Sequence, residues 1–152
     1  MGYPPNLNRT WREYAAARVL KRRNARASLG AFCKFVQKAY VHGRHLDLLD
    51  AALERVEKGE CKRLIISMPP RHGKSQKASI HFPAWCLGRN PEKKIVVSSY
   101  GSDLAKKMSR DTQRIVDSKE FRELFPATGL SPDNVRAAAG KPLRNVDEWE
   151  MT

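Results

Sequence analysis

Apolar residues follow a helical spacing in several stretches of the chain. Over residues 45–58 they recur every three or four positions, which predicts an amphipathic helix with one buried face. Residues 102–116 show the same spacing, and residues 10–27 are rich in strong helix formers, so we expect helices there as well. A second short helix is predicted over residues 31–40, after a break at Gly30.

Two short β-branched runs between breakers predict buried strands. They cover residues 63–68 and 94–100, and the first ends at a Pro-Pro pair that cannot continue a strand. A helix is expected over residues 74–87, bent or split by Pro83. Strands alternating with helices are typical of an α/β domain with a parallel sheet.

The pattern weakens toward the end of the chain. Residues 121–125 predict a short apolar turn, and residues 146–151 give only a faint strand pattern. A doubly wound sheet usually has five or more strands, so the expected sheet is incomplete.

Length and composition describe one domain with enough apolar residues for a core. The 152 residues are 41% hydrophobic, with a mean hydropathy of −0.61. Neither an apolar run of about 18 residues nor an apolar segment at the start is present, so we expect no membrane span and no secretory signal. Three separated cysteines argue against a disulfide framework and favour a reducing cytoplasm.

The positive charge is concentrated in the first 45 residues. These hold ten basic side chains and one acid, whereas residues 46–152 carry only +4. Such a segment attracts phosphate backbones, and a solvated helix face without a partner is the alternative. The predicted contacts to double-stranded DNA are the densest basic run, Arg18, Lys21, Arg22, Arg23 and Arg26. We expect Trp11 and Trp85 to be packing aromatics, with stacking on bases as the alternative.

The segment between the first predicted strand and the following helix carries candidate chemistry. It reads MPPRHGKS over residues 68–75, and Gly73, Lys74 and Ser75 match the end of the phosphate-binding loop pattern G-x4-G-K-[ST]. Met68 replaces the first glycine of that pattern. A turn in which these residues merely cap a helix is the alternative reading.

Each residue type in this loop suits a triphosphate with Mg²⁺. Gly73 lets the backbone approach the phosphates, and free amides at the helix start can bind their oxygens. Lys74 and the guanidinium of Arg71 supply positive charge, and the Ser75 hydroxyl is a hard ligand for magnesium. The predicted nucleotide-binding residues are Pro70, Arg71, His72, Gly73, Lys74, Ser75 and Gln76, with ATP and Mg as cofactors.

These residues resemble the N-terminal ATPase part of phage and prophage terminase large subunits, the motors that pump DNA into capsids. The resemblance covers roughly residues 28–135 and rests on LIISMPPRHGKS (64–75), FPAWCLGRNP (82–91) and IVVSSY (95–100). It implies a P-loop NTPase-type parallel sheet with flanking helices after a helical N-terminal segment. The implied domains are a basic segment over 1–45 and the first portion of the ATPase domain over 46–152.

The resemblance also implies residue roles and partners. Lys74 would bind phosphate, Ser75 would hold magnesium, and Arg71 would contact the γ-phosphate. Gln37, the sole glutamine before the loop, is a candidate adenine contact. In the family, the partners are DNA, a small terminase subunit and the portal protein.

One departure from the family concerns hydrolysis. The sequence offers no apolar strand followed by an acid, the Walker B element that holds magnesium and orients water. The carboxylate-rich nuclease part is also missing, so we predict no catalytic residue and expect a truncated terminase that binds ATP without turnover. The alternatives are a basic nucleic-acid-binding module without enzymatic activity and the first part of a helicase-type ATPase.

Overall fold

Helices dominate the fold. The computed structural model describes residues 10–130, 135–138, 141–144 and 149. Its helices are α1 (Trp11–Ala27), α2 (Leu29–Val36), α3 (Arg44–Glu57), a π-helical segment (Gln76–His81), α4 (Phe82–Arg89), α5 (Ser102–Val116) and α6 (Lys119–Leu124). Two short strands, β1 (Val135–Ala138) and β2 (Lys141–Arg144), pair in an antiparallel hairpin.

Local sequence signals explain where several helices begin. Thr10 and Glu13 form a capping box at α1, in which each side chain bonds the backbone amide of the other residue. At α6, the Ser118 hydroxyl accepts from the Phe121 amide at 3.1 Å. The helices predicted over 10–27, 45–58 and 102–116 are confirmed within one residue at each end.

One hydrophobic core joins α1, α2, α3, α4, α5 and α6. Its members come from both sides of residue 45, so the basic N-terminal segment and the rest of the chain share this core. The Trp85 ring is buried at its centre, where the indole N–H donates to the Arg26 carbonyl at 3.1 Å. Phe32, Phe121 and Phe125 form an aromatic cluster beside it, with ring centroids 5.1–6.3 Å apart.

The predicted α/β fold with a P-loop NTPase-type parallel sheet is wrong for the described part of the chain. That part is mostly helical, and the described ladder is a short antiparallel hairpin. Residues 63–69 and 93–99 form neither helix nor turn, and they pair with no strand within residues 10–130. Their β-branched sequence favours an extended backbone, so we call them the extended segments, but a sheet also needs a neighbouring strand for each segment's amides and carbonyls.

Two local predictions also need correction. Gly30 does not break the helix, because α2 begins before it and runs on to Val36. The apolar turn expected over 121–125 is mostly helix α6. The predicted strand over 146–151 lies outside the described residues except for Trp149, whose indole N–H donates to the Ser109 hydroxyl at 3.0 Å.

The helix predicted over 74–87 is present and runs without a break from residue 74 to residue 89, with a π-helical stretch before Pro83. Helical conformation begins at Lys74, passes through the π-helical turns, and becomes α4 at Phe82. The Phe82 amide donates to the Lys77 carbonyl five residues earlier, just before Pro83, which has no amide hydrogen. The helix is therefore π-helical over Gln76–His81 and α-helical from Phe82 onward.

In the described part of the chain, no helix has the length and apolar character required to span a membrane.

Candidate functional site

The loop of residues 69–73 links the first extended segment to the helix that begins at Lys74. Two of its residues adopt left-handed backbone angles, with φ of 62° at Arg71 and 81° at Gly73. Glycine takes this conformation without steric cost, whereas a residue with a side chain is strained by about 1–2 kcal/mol. The surrounding protein must therefore hold the loop in this shape.

Two histidines hold the loop through backbone carbonyls. His72 Nδ1 lies 2.8 Å from the Pro70 carbonyl, so this nitrogen carries the proton and donates. His45 on α3 donates in the same way from Nε2 to the His72 carbonyl at 3.2 Å. A Cβ added at Gly73 would lie 3.7 Å from the nearest Leu46 methyl carbon, so α3 also lies directly beneath the loop.

The amides of the loop and of the first helical turn are available to a ligand. Those of residues 71–76 donate to no other group in the described part of the chain. The first amide bonded back into the loop is that of Lys77, which donates to the Gly73 carbonyl at 2.9 Å. Unpaired amides at a helix start favour an anion through their partial positive charge.

Two cationic side chains accompany these amides. Arg71 is exposed and Lys74 is half-buried, and neither forms an ion pair with a described residue. The Ser75 side chain next to them is exposed and makes no hydrogen bond in the described part. The site therefore combines free amides, two unneutralised cations and a hydroxyl oxygen, which fits a phosphate group accompanied by magnesium.

The two glutamines singled out near the site contact each other. The Gln76 side-chain amide donates to the Gln37 side-chain oxygen at 2.9 Å. The fold thus brings Gln37, 39 residues upstream, to the edge of the loop. Its own NH₂ group retains two hydrogen-bond donors for a ligand.

A buried polar cluster beneath the loop is absent from the sequence-based prediction. The Lys77 ammonium lies 2.7 Å from Asp50 Oδ1 and 3.4 Å from Cys33 Sγ. Burial raises the pKa of Asp50, an effect that the Lys77 charge opposes, and burial raises the pKa of Cys33 to about 12. One signal was available, because Asp50 falls on the apolar face of α3 with Leu46, Leu49 and Leu53.

His81 forms the far side of this cluster. Its Nδ1 donates to the Gln76 carbonyl at 2.8 Å, and its ring centroid lies 5.7 Å from that of Tyr40. Burial lowers the pKa of His81, with the Lys77 charge acting in the same direction. The π-helical segment is therefore held at both ends by buried polar side chains, Lys77 and His81.

The predicted DNA contacts on α1 are partly occupied by internal partners. Arg18 and Arg22 both pair with Glu123 of α6, and their hydrogen bonds hold the pKa of that carboxyl below its usual range. Arg26 donates to the Leu124 carbonyl, and the Lys21 ammonium lies 5.7 Å from the centre of the Phe35 ring. Within the described residues, Arg23 is the member of this set that remains exposed without such a partner.

The two tryptophans have opposite environments. Trp85 is a packing aromatic as predicted, but Trp11 is 73% exposed, so the packing prediction is wrong for that residue. Trp11 and Tyr14 stand edge to face on α1 with ring centroids 6.4 Å apart. The start of α1 therefore presents aromatic rings beside basic residues.

No family model, curated protein or solved structure matches this chain. The assignment of a function therefore depends on the geometry of the loop and on the residues themselves.

Proposed function

We propose that the loop and first helical turn, residues 70–76, bind ATP together with Mg²⁺. The observation that carries this proposal is the set of unpaired amides beside two cations, Arg71 and Lys74, that no described carboxylate neutralises. A triphosphate needs donors and positive charge converging in this way. Ser75 would supply the hydroxyl ligand for the metal, and Gln37 would contact the base.

The resemblance to terminase large subunits gives this binding a biological setting. We propose that the chain is an ATP-binding part of such a motor protein, located in the cytoplasm of the host cell. Double-stranded DNA, a small terminase subunit and a portal protein would then be the partners of the intact motor. The proposal covers binding and does not include hydrolysis, for which the sequence offers no Walker B acid.

Calorimetric titration of Mg–ATP tests this proposal. We expect Lys74→Ala to weaken binding at least about tenfold, because a charge-assisted contact contributes about 1.5–3 kcal/mol. Lys107→Ala removes an exposed lysine from α5 and is the matched control, with affinity expected to remain unchanged. Equal affinity of both variants, or no binding by the wild-type protein, would reject the nucleotide site.

A second candidate function, nucleic-acid binding by α1, is favoured by the exposed start of that helix. Arg12 and Arg23 are exposed cations without an ion pair in the described part; Arg12 is adjacent to the Trp11–Tyr14 ring pair in the sequence, and Arg23 lies nine residues after Tyr14 on the same helix. Cations beside exposed rings suit phosphates and bases.

Binding of duplex DNA over a range of salt concentrations tests this second function. We expect the double variant Arg12→Gln/Arg23→Gln to reduce the slope of log affinity against log salt by about 1–2, because each phosphate contact contributes about 0.9. Lys74→Ala should leave the slope unchanged. Binding that does not respond to salt would rule out this role for α1.

A further inference from the structure

The buried cation beneath the loop is unusual for a lysine. Lys77 is 0% exposed, and its ammonium is enclosed by Asp50, the Cys33 sulfur and the face of the Tyr40 ring, whose centroid is 4.9 Å away. An isolated buried ammonium is strongly unfavourable, so this position requires the carboxylate at 2.7 Å. The ion pair therefore links α3 to the helix that follows the loop.

The space for this pair comes from Gly30 on α2. A Cβ at that position would approach Asp50 Oδ2 to 2.6 Å, a distance that would force the carboxylate to move. The ion pair therefore lies where α2, α3 and the helix after the loop meet. This contact also explains why a glycine occurs inside α2.

The pair is connected directly to the loop. Lys77 follows Gly73 by one turn, and its amide donates to the Gly73 carbonyl. Asp50 follows Leu46, which packs beneath Gly73, by one turn of α3. Leu46 of α3 thus contacts the loop at Gly73, and one turn further along α3 Asp50 pairs with Lys77 of the helix that follows the loop.

We propose that Asp50 and Lys77 are positioning residues that set the conformation of residues 71–76. Apolar packing already fixes these helices closely, and a buried ion pair adds a requirement for the distance and direction between two particular side chains. The pair would fix the start of the helix and thereby hold the strained loop with its amides and cations in place. This inference rests on the proposed function in one respect, which is that the amides and cations of residues 71–76 bind ATP.

The test separates positioning from general stability with four variants. Lys77→Met and Asp50→Asn each break the pair, and Asp50→Val/Lys77→Met replaces it with apolar side chains. Asp111→Asn/Arg114→Met removes an exposed ion pair on α5 and is the control. Each protein is measured by thermal unfolding, by hydrogen exchange of the peptide covering 77–82, where the first hydrogen-bonded amides after the loop lie, and of peptides from α5, and by Mg–ATP titration.

We expect the single variants to lower the unfolding temperature, since each leaves a buried group unpaired. The double variant should recover most of that temperature, while exchange over 77–82 stays about tenfold faster than in the wild type and exchange in α5 is unchanged. Its ATP affinity should also stay about fivefold or more below the wild-type value. The control should match the wild type in all three measurements.

Exchange over 77–82 that returns to the wild-type rate in the double variant would overturn the inference, because the pair would then contribute only stability. That result together with normal ATP binding would leave the proposed function intact. Conversely, selective acceleration over 77–82 in the variants, together with no ATP binding by the wild-type protein, would support the positioning role and reject the nucleotide site.

Discussion

The helical core and the two extended segments both contain large apolar residues, but these are buried in the core and mostly exposed in the segments. In the core, Phe121 and Leu124 are completely buried. In the extended segments and directly after them, Ile65 is 96% exposed, Val96 92% and Tyr100 98%. The difference lies in the backbone, because a helix satisfies its own amides and carbonyls, whereas an extended segment needs a second strand beside it.

The extended segments are nevertheless half-packed. Ile66 and Met68 lie against the core, while their neighbour Ile65 points away from it, which is the two-residue alternation of a strand. One face of this segment therefore packs against the core, and the other face is exposed to solvent. Such a surface favours association with other extended chains.

The largest expected effect compares one aromatic residue from each region. Phe121→Ala should lower the free energy of unfolding by about 3–5 kcal/mol, because it leaves a cavity against Phe32 and Phe125. Tyr100→Ala should change it by less than about 0.5 kcal/mol, since that ring is almost fully exposed. Urea unfolding followed by circular dichroism measures both, and a large loss in Tyr100→Ala would show that the second segment is packed in solution.

A smaller effect concerns the response of the core to acid. The pKa of His81 is lowered from about 6.5 by burial, so the unfolded chain binds a proton before the folded protein does. Stability should therefore fall as the pH drops below about 6.5 and should level off below the folded-state pKa. Urea midpoints between neutral and mildly acidic pH measure this slope.

His81→Asn is the control for the acid response. Its side-chain NH₂ can replace the Nδ1 donor, and it does not titrate in this range. The variant should lose the part of the slope that comes from His81. An unchanged slope would mean that other groups cause the acid sensitivity.

The smallest effect is a difference in thiol reactivity between the two regions. Burial raises the pKa of Cys33 and Cys86 in the core to about 12, which leaves almost no thiolate at neutral pH. Cys61, at the start of the first extended segment, is only partly buried. A thiol reagent should modify one group in the native protein, none in Cys61→Ser, and all three after unfolding; fast labelling of two or more native thiols would contradict the closed core.

The success of the sequence-based predictions depended on how local each feature is. Helices α1, α3 and α5 were predicted closely because capping residues and apolar spacing act within a few turns. The candidate loop was found because its residues are contiguous. Asp50, Lys77 and Cys33 were missed because their contacts span 27 and 44 residues, and no local pattern encodes such a pairing.

The sequence by itself determined the spans of α1, α3 and α5, the basic N-terminal segment and the position of the Gly-Lys-Ser loop. Only the tertiary structure decided that the extended segments lack partner strands in residues 10–130, and that Arg18 and Arg22 pair with Glu123. It also decided that a buried ion pair lies beneath the loop. The physical reason is that helices and turns are stabilised by near neighbours in the chain, whereas ladders, buried charges and surface pairs depend on distant residues.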